Sequence, residues 1–593
     1  MKRSLLAISV FLLCSFFAFA QHRSEQSAIQ VAQEFLRNNG KTPQISIVPS
    51  QKIEALVCKR IPAARRVPAQ SQSFYVVNDE ANNRFVIVSA DERLNTILGY
   101  SDKGCFEEKL MPDALLSIMN EYNRQYHYLL SLQDNTVKEV SAISQEVEVI
   151  KPMITTYWGQ AEPFNAECPI DPDETNGTHC ATGCLATAMA QVINYHKYPA
   201  KCKGNYQYKS DKHKFSCNMD FENYSINYDK LVDDLNNAKS DEKAEVAKLM
   251  HACGVSIAMD YCADGSGSKD YNIPYALIHF FGYNPNIVYR KRDYYTAEEW
   301  HKMIMDDLKA GRPVIYSGFD ENGEGGHSFV LDGCDENGLY HVNLGATQDV
   351  YGYLWSGPGD GYYRLEALKP QFLGVGLGDY SYQQSMVCNI SPTETGIHED
   401  IFFAPGFNLS PASLFTYSYS IIAQCYSSDT NRKSLNGEFF SGEIGIGLFD
   451  TDFNFLNSMY SEKVNCKSAD AYIKLVEEIT LNTSGMEDFK NYYIAPYAKS
   501  NYSDKPTIIR GKTIADVESD EYKNTVWIYY EAYGAFGLLV AEEKRVIGVD
   551  VESPRLANPS DRDGWFTLQG LRLDEKPNKP GVYLHQGRKV LIK

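Results

Sequence analysis

The clearest helical pattern in the chain begins at Cys184 and ends at Pro199. Its apolar residues recur every three or four positions, at Leu185, Ala188, Met189, Val192 and Ile193. Thr182 and Gly183 are unfavourable inside a helix, so the pattern predicts Cys184 in the first turn. A thiol there lies at the positive end of the helix dipole, which favours the thiolate. The alternative is a core or disulfide-bonded cysteine in a helix of small residues.

The region 21–148 has the pattern of a separate α+β unit. Amphipathic spacing predicts helices over about 27–39 and 112–132, and β-rich runs predict strands over 74–77 and 84–89. The polar stretch 133–148 follows and reads as a linker open to proteolysis.

A second unit, 149–392, contains the Cys184 helix. The pattern predicts a helix over 241–253, closed by Gly254, and a strand over 255–261. Further strands are expected over 313–317, 328–331 and 339–343. His327 directly precedes the second of these strands. A turn at 334–338 joins the last two strands into a hairpin. This folding is expected to place Asn343 opposite His327 or one diagonal step away.

The remaining chain reads as short strands separated by polar turns. Strands are predicted over 415–422, 442–449, 492–497, 525–533 and 537–540, with a helical piece over 470–477. The region 393–560 is therefore expected to be a β-sandwich-like accessory domain without a catalytic constellation. Residues 561–593 are expected to form a short β module or a secretion and sorting tail.

The net charge and the targeting signals limit the possible partners and the location of the protein. The 593 residues carry a formal charge of −19, which argues against nucleic acid and anionic membrane surfaces as partners. Residues 1–20 have the basic start, apolar run and Ala-Phe-Ala end of a secretory signal peptide. No later stretch is apolar enough to span a membrane. The expected location is outside the cytoplasm: secreted, at the cell surface, or in the periplasm of a Gram-negative bacterium.

Cysteine usage is compatible with export. The signal segment holds one of the 14 cysteines, so an odd number remains and at least one is left without an intramolecular partner. His179 with Cys180 and Cys184 lacks a fourth ligand for a zinc site. No metal and no cofactor are therefore expected.

Three residues in chain order suit thiol-based catalysis. Cys184 would be the nucleophile, His327 the base and Asn343 the group that orients the base. The 143 residues between Cys184 and His327 fall within the roughly 130–150 of papain-like enzymes. Gln160 lies 24 residues before Cys184. Its amide and the backbone N–H of Cys184 are the candidate oxyanion hole.

These residues lie in stretches that resemble the streptopain family of secreted cysteine peptidases, which are papain-like in fold. The matching stretches are YWGQAEPFN, ATGCLATAMAQVINYHKYP, GVSIAMDY, GGHSFVLDG, LYHVN and DGYYRLEALKP. The resemblance implies an α+β chain: a papain-like cysteine peptidase domain preceded by an inhibitory propeptide at 21–148. It also implies protein or peptide substrates, a hydrophobic subsite for them, and the site roles given above for Cys184, His327, Asn343 and Gln160.

One segment departs from the family pattern. Family members carry Trp-Gly-Trp-Gly-Gly after the Asn, whereas Asn343 is followed by Leu344-Gly345-Ala346-Thr347-Gln348. Leu344 is apolar but lacks the ring face that shields the His–Asn pair. The competing hypothesis is therefore a non-catalytic surface or binding protein that keeps the peptidase fold. A thiol-dependent transferase or amidase would use the same residues. The last thirty residues resemble the terminal segment of secreted proteins of Bacteroidetes-type bacteria.

Overall fold

The chain divides into two compact units. The first comprises Met1–Lys291 and His301–Gly396, and the second comprises Arg292–Trp300 and Ile397–Lys593. The computed structural model describes residues 22–37, 42–60, 72–107, 111–131, 148–295, 297–319, 326–345, 359–366, 383–393, 396, 400–411, 416–427, 440–450, 454–467, 472–482, 484, 486, 491–501, 506–511, 526–530, 542–544, 565–566, 572–573, 581–585 and 588–592. Within these residues, no helix combines the length and apolar character needed to cross a bilayer.

The described residues up to 393 contain both helices and strands. The helices are α1 (Glu25–Arg37), α2 (Ser50–Arg60), α3 (Asp113–Ser131), α4 (Cys184–His196), α5 (Ser240–Ser256), α6 (Ile273–His279) and α7 (Ala297–Lys309). The strands are β1 (Ile45–Val48), β2 (Phe74–Asp79), β3 (Arg84–Ser89), β4 (Ile97–Ser101), β5 (Asn205–Lys209), β6 (Ser216–Asp220), β7 (Val288–Lys291), β8 (Val314–Phe319), β9 (Gly326–Cys334), β10 (Tyr340–Asn343), β11 (Gly361–Tyr363) and β12 (Gln383–Cys388).

One antiparallel sheet of ten strands runs through the first unit. Its order is β1-β2-β3-β4-β11-β10-β9-β8-β12-β7, so four N-terminal strands extend a sheet formed by six later ones. Helix α1 covers β2 and β3 with Ala28, Ala32 and Leu36, which are at most 1% exposed. Strands β5 and β6 form a separate hairpin.

The seam of this sheet is the pairing of β4 with β11. Tyr362 lies opposite Tyr100, and Tyr363 lies opposite Gly99. The rings of Tyr100 and Tyr362 stack with centroids 5.1 Å apart. A Cβ on Gly361 would lie 2.3 Å from the carbonyl oxygen of Tyr100. Glycine at 361 is therefore required for the two strands to approach each other.

The second unit contains three sheets in its described residues. One has the order β17-β14-β13-β20, one has β16-β15-β18-β21-β22 with β19 on β18, and one has β24-β23-β25-β26. The strands are β13 (Asp400–Pro411), β14 (Tyr417–Ser427), β15 (Phe440–Phe449), β16 (Phe455–Cys466), β17 (Tyr472–Ile479), β18 (Asn491–Ser500), β19 (Thr507–Ile508), β20 (Arg510–Gly511), β21 (Val526–Tyr530), β22 (Glu542–Lys544), β23 (Trp565–Phe566), β24 (Arg572–Leu573), β25 (Gly581–His585) and β26 (Arg588–Ile592). The rings of Tyr419 on β14 and Tyr460 on β16 lie 5.7 Å apart, so the first two sheets face each other.

Most predicted elements are confirmed, but two are wrong. The strand expected over 255–261 is absent because α5 continues through Gly254 to Ser256, and the chain then turns at Ala258, whose φ is 58°. Gly254 is retained inside the helix because a Cβ there would lie 2.4 Å from the hydroxyl of Tyr261. The helical piece expected over 470–477 is instead β17, paired with β14. Residues 1–20, 133–147 and 537–540 lie outside the described residues.

We predict that Gly361→Ala destabilises the first unit, because its methyl group forces β11 away from β4. The free energy of unfolding should fall by about 1–3 kcal/mol, the usual range for overpacking. Urea unfolding of a Cys184→Ala protein measures this change. Gly267→Ala is the matched control, since a Cβ at Gly267 meets no atom within 4 Å. Equal stability of the two variants would contradict the prediction.

Candidate active site

Cys184 is the first residue of α4, as the sequence predicts. Gly183 caps the helix with a φ of 87°, a conformation that favours glycine. A Cβ on Gly183 would also lie 2.5 Å from Cε of Met259. The side chain of Cys184 is partly exposed, and neither Cys184 nor Cys180 is in a disulfide. Cys184 is therefore a free thiol at a helix N-terminus.

His327 lies at the start of β9 and forms a hydrogen bond with the Cys184 thiol. Burial alone would raise the pKa of Cys184. The hydrogen bond and charge of His327 outweigh it, with further hydrogen bonds from the backbone and side chain of Ser328. The net pKa of Cys184 therefore lies below the ordinary thiol value, which favours the thiolate beside an imidazolium.

A backbone carbonyl orients the imidazole. Nε2 of His327 lies 2.8 Å from the carbonyl oxygen of Leu344. A carbonyl oxygen only accepts hydrogen bonds, so Nε2 carries the proton and Nδ1 remains for the thiol. The N–H of Leu344 donates in turn to Oδ1 of Asp360 at 2.8 Å. Leu344 thus links the histidine to a buried carboxyl group.

Asn343 does not make the expected contact with His327. Its amide nitrogen donates to the carbonyl oxygen of Thr156 at 3.0 Å, and its amide oxygen accepts from the N–H of Gly345 at 3.1 Å. The expected hairpin register is wrong because β9 extends to Cys334 and the β9–β10 pairing has an irregularity between His341 and Val342, which shifts the register by one residue. Asn343 lies opposite Val330. Residues three apart on a strand point to opposite faces, so Asn343 does not share the face of His327.

Gln160 lies beside the loop that leads to Cys184. Its carbonyl oxygen accepts from the N–H of Thr182 at 3.0 Å. The turn that carries Gln160 is held by Trp158, which is fully buried and donates to the carbonyl oxygen of Val232 at 2.9 Å. These contacts bring the residue predicted for the oxyanion hole next to the segment that presents Cys184.

Sequence reasoning missed the buried pair of Asp332 and His341. Their side chains lie 2.6 Å apart, and Oδ2 of Asp332 also accepts from the N–H groups of Met153 and Ile154. The pair fixes the segment that leads to Gln160 against β9 and β10. Asp360 was also missed as a site residue, although it begins the DGYYRLEALKP stretch. The available signal was the presence of polar residues inside strands that are otherwise apolar.

The residues considered as a metal set have different partners. Nδ1 of His179 lies 2.6 Å from the carbonyl oxygen of Cys168. Sγ of Cys180 lies 3.9 Å from Oδ2 of Asp171, and Cys184 bonds to His327. The structure therefore does not assemble His179, Cys180 and Cys184 into one site.

The chain is similar to known peptidases and to a known protease inhibitor family. Residues 158–363 match the model of the Peptidase C10 family, and residues 20–126 match that of the Spi protease inhibitor. The chain is 32% identical over 343 residues to streptopain from Streptococcus pyogenes, across 54% of this chain and 81% of that protein. The chain belongs to the Peptidase C10 family. It is therefore a streptopain-like cysteine peptidase, preceded by an inhibitor-like segment.

Two further proteins are similar to this C10 member. The thiol protease/hemagglutinin PrtT of Porphyromonas gingivalis is 30% identical over 467 residues, across 75% of this chain and half of that protein's length. A prointerpain A fragment from Prevotella intermedia has a TM-score of 0.45 and 27% identity, across 55% of this chain and 97% of the fragment. The matched family region contains Gln160, Cys184, His327 and Asn343.

We predict that Cys184 is alkylated by iodoacetamide at lower pH than an ordinary thiol. His327→Ala removes the contacts that lower its pKa, so the rate at pH 7 should fall about tenfold for each unit of pKa regained. Mass spectrometry of the labelled protein gives the rate at this site. Cys105 is the internal control because burial raises its pKa. An unchanged pH profile for Cys184 in the variant would refute the assignment.

Asp360 should make stability depend on pH. Burial raises its pKa to about 6, partly offset by the charge of Lys103 and the N–H of Leu344. The folded state then binds more protons than the unfolded state between about pH 4 and 6, so stability falls as pH rises through this window. Asp360→Asn keeps an oxygen that can accept the hydrogen bond from Leu344. It should remove up to about 3 kcal/mol of the decrease in the free energy of unfolding across this window.

Urea unfolding of the Cys184→Ala protein at several pH values measures the slope. Asp306→Asn changes a carboxylate whose side chain is 55% exposed and serves as the control. The same slope in the parent and in Asp360→Asn would show that Asp360 is not responsible.

Proposed function

We propose that the chain is a secreted cysteine endopeptidase made as a zymogen. The observation that carries the proposal is the contact between the Cys184 thiol and the His327 imidazole, with a lowered thiol pKa, at the start of a buried helix. Membership of a cysteine peptidase family supports the reaction type. Protein or peptide chains are the proposed substrates, and no cofactor takes part.

In the proposed mechanism, the Cys184 thiolate attacks the scissile carbonyl and His327 protonates the leaving amine. His327 then takes a proton from water, which hydrolyses the thioester. The carbonyl oxygen of Leu344 holds the Nε2–H tautomer, taking the role first assigned to Asn343. Asn343 instead positions Gly345 and Thr156. The amide of Gln160 and the N–H of Cys184 stabilise the oxyanion.

The proposed domains are a signal peptide at 1–20, an inhibitory propeptide at 21–148, the peptidase at 149–392, a β-rich accessory domain at 393–560 and a C-terminal module at 561–593. The match of residues 20–126 to a protease inhibitor family supports the second assignment. The hydroxyl of Ser101 donates to the carbonyl oxygen of Asp360 at 2.6 Å, so the propeptide holds the segment that supports Leu344.

Pro112 gives the propeptide a second contact near the site. A Cβ on Gly359 would lie 2.9 Å from Pro112 and 3.4 Å from Cδ1 of Leu344, so both side chains flank this glycine. Cleavage within 133–148 is the proposed activation step. Export is proposed from the signal sequence, to the medium, the cell surface or the periplasm.

The purified proprotein tests this function when it is incubated with reductant. We expect a decrease in size from cleavage within 133–148, followed by casein hydrolysis and labelling of Cys184 by a thiol-directed epoxide. Cys184→Ala should abolish all three, because it removes the nucleophile. Gln160→Ala should lower kcat about 10²–10³-fold through loss of an oxyanion donor.

Cys105→Ser is the matched control, since Cys105 is also a partly exposed free thiol. It should process and hydrolyse casein as the parent does. Absence of both cleavage and labelling, even after the N-terminal unit is removed by an added protease, would favour the non-catalytic binding protein. Transfer of the acyl group to an added amine would identify the transferase alternative.

A further inference from the structure

A cluster of possible metal ligands lies outside the catalytic site. Asp171, His213 and Cys262 come from three separate segments, and their ligand atoms all lie within 4.8 Å of one another. The first is in the loop before Cys180, the second is in the β5–β6 turn, and the third is in the loop after α5. The spacing along the chain gives no zinc motif, so the fold alone assembles this set.

One ring nitrogen of His213 lies in the cluster and makes no hydrogen bond. Its side chain is 7% exposed, and its Nε2 is buried with no hydrogen-bond partner. Nε2 lies 3.5 Å from Oδ1 of Asp171. A buried polar nitrogen without a partner is costly, and a metal ion at the centre of the cluster would satisfy it.

The other ligands are held in place by the backbone. Oδ1 of Asp171 accepts from the N–H of Asp173 at 2.9 Å, and Oδ2 accepts from the N–H of Ala263 at 2.6 Å. A carboxylate fixed in this way by outer hydrogen bonds is typical of a metal ligand. Cys262 is 6% exposed, so this ligand is largely shielded from solvent.

We propose that Asp171, His213 and Cys262 bind a zinc ion. A thiolate, an imidazole and a carboxylate together suit Zn²⁺ better than Mg²⁺ or Ca²⁺, which prefer oxygen ligands. Water would complete the tetrahedral coordination of a zinc ion held by these three side chains. Zinc bonds of about 2.0–2.3 Å would draw the three ligand atoms, which lie within 4.8 Å of one another, toward a common centre.

Lys212 occupies part of the same space. Its Nζ lies 2.7 Å from Sγ of Cys262, so the sulfur already attracts one positive charge. The residue is exposed and its flexible stem lets the ammonium group withdraw into solvent. Lys212 therefore competes with the metal, and its removal strengthens metal binding.

The zinc ion would fix the segment that presents Cys184. The N–H of Ala181 donates to the carbonyl oxygen of Cys262 at 3.0 Å, and the hydroxyl of Ser266 donates to the carbonyl oxygen of Ala181 at 2.6 Å. A metal bound to Asp171 and Cys262 would hold together the loop before Cys180 and the loop after α5. Its role is structural, because Cys184 is not among its ligands.

Metal content of the full chain tests the site independently of peptidase activity. The Cys184→Ala protein is used because it cannot process itself and lacks the catalytic thiol as a ligand. Produced with added zinc and desalted, it should hold one zinc per chain by elemental mass spectrometry. His213→Ala should lower the zinc content or affinity at least about tenfold.

Cobalt substitution identifies the sulfur ligands. Co²⁺ should give a thiolate-to-metal charge-transfer absorption that Cys262→Ser weakens, and Lys212→Ala should bind Co²⁺ more tightly than the parent. His179→Ala is the control, because its Nδ1 faces the carbonyl oxygen of Cys168, and it should leave binding unchanged. Circular dichroism establishes that each variant is folded.

If His213→Ala does not fold, thermal unfolding of the parent decides the question. A chelator should lower its melting temperature, and zinc but not magnesium should restore it. The proposal is overturned if the parent holds no zinc, or if the Co²⁺ spectrum is the same in Cys262→Ser. It is also overturned if neither chelator nor zinc changes the melting temperature.

Discussion

The hydrogen bond from the His327 ring to the carbonyl oxygen of Leu344 is the constraint on which the site depends. A main-chain carbonyl does not titrate in this range, so it favours the Nε2–H tautomer whenever the imidazole is neutral and accepts from the same N–H in the imidazolium. Its position is set by the backbone, which Asp360 holds from the other side. A departure from the family sequence after Asn343 therefore leaves the imidazole oriented, because the orienting atom belongs to the main chain.

The segment around Asp360 connects the site to the N-terminal strands β1–β4. Asp360 precedes β11, and β11 is paired on one side with β10 and on the other with β4. A single three-residue strand thus lies between the hairpin that carries His327 and the inhibitor-like region. Glycine at 361 is needed for this arrangement, because a larger residue would separate the two strands.

Much of this architecture can be predicted from the sequence. Where an element buries one face, its apolar residues recur with a clear period, and the residues that end the element are easy to recognise. The α4 pattern located Cys184, and the apolar run after His327 located β9. The register of the hairpin could not be derived, because an irregularity in the β9–β10 pairing between His341 and Val342 shifts the partner of Asn343 by one residue. Leu344 was missed as the orienting group because its functional atom is a carbonyl oxygen, which every residue possesses.

Other errors have related causes. Residues 472–479 include good helix formers, but pairing with β14 determines their conformation. Gly254 was predicted to end the helix. It lies inside α5 instead, where the hydroxyl of Tyr261 leaves no room for a Cβ. The ligands of the proposed zinc site come from three loops, so no local spacing could predict their meeting. In each case, a tertiary contact outweighed the local signal.

The pairing of β4 with β11 has a consequence for the mature enzyme. Departure of β1–β4 would turn β11 from an interior strand into the border of a six-stranded sheet, with main-chain groups of Gly361–Tyr363 open to solvent. Such a border can accept an extended segment of another chain. In the proposed activation, the released N-terminal segment and any other extended polypeptide would compete for this border.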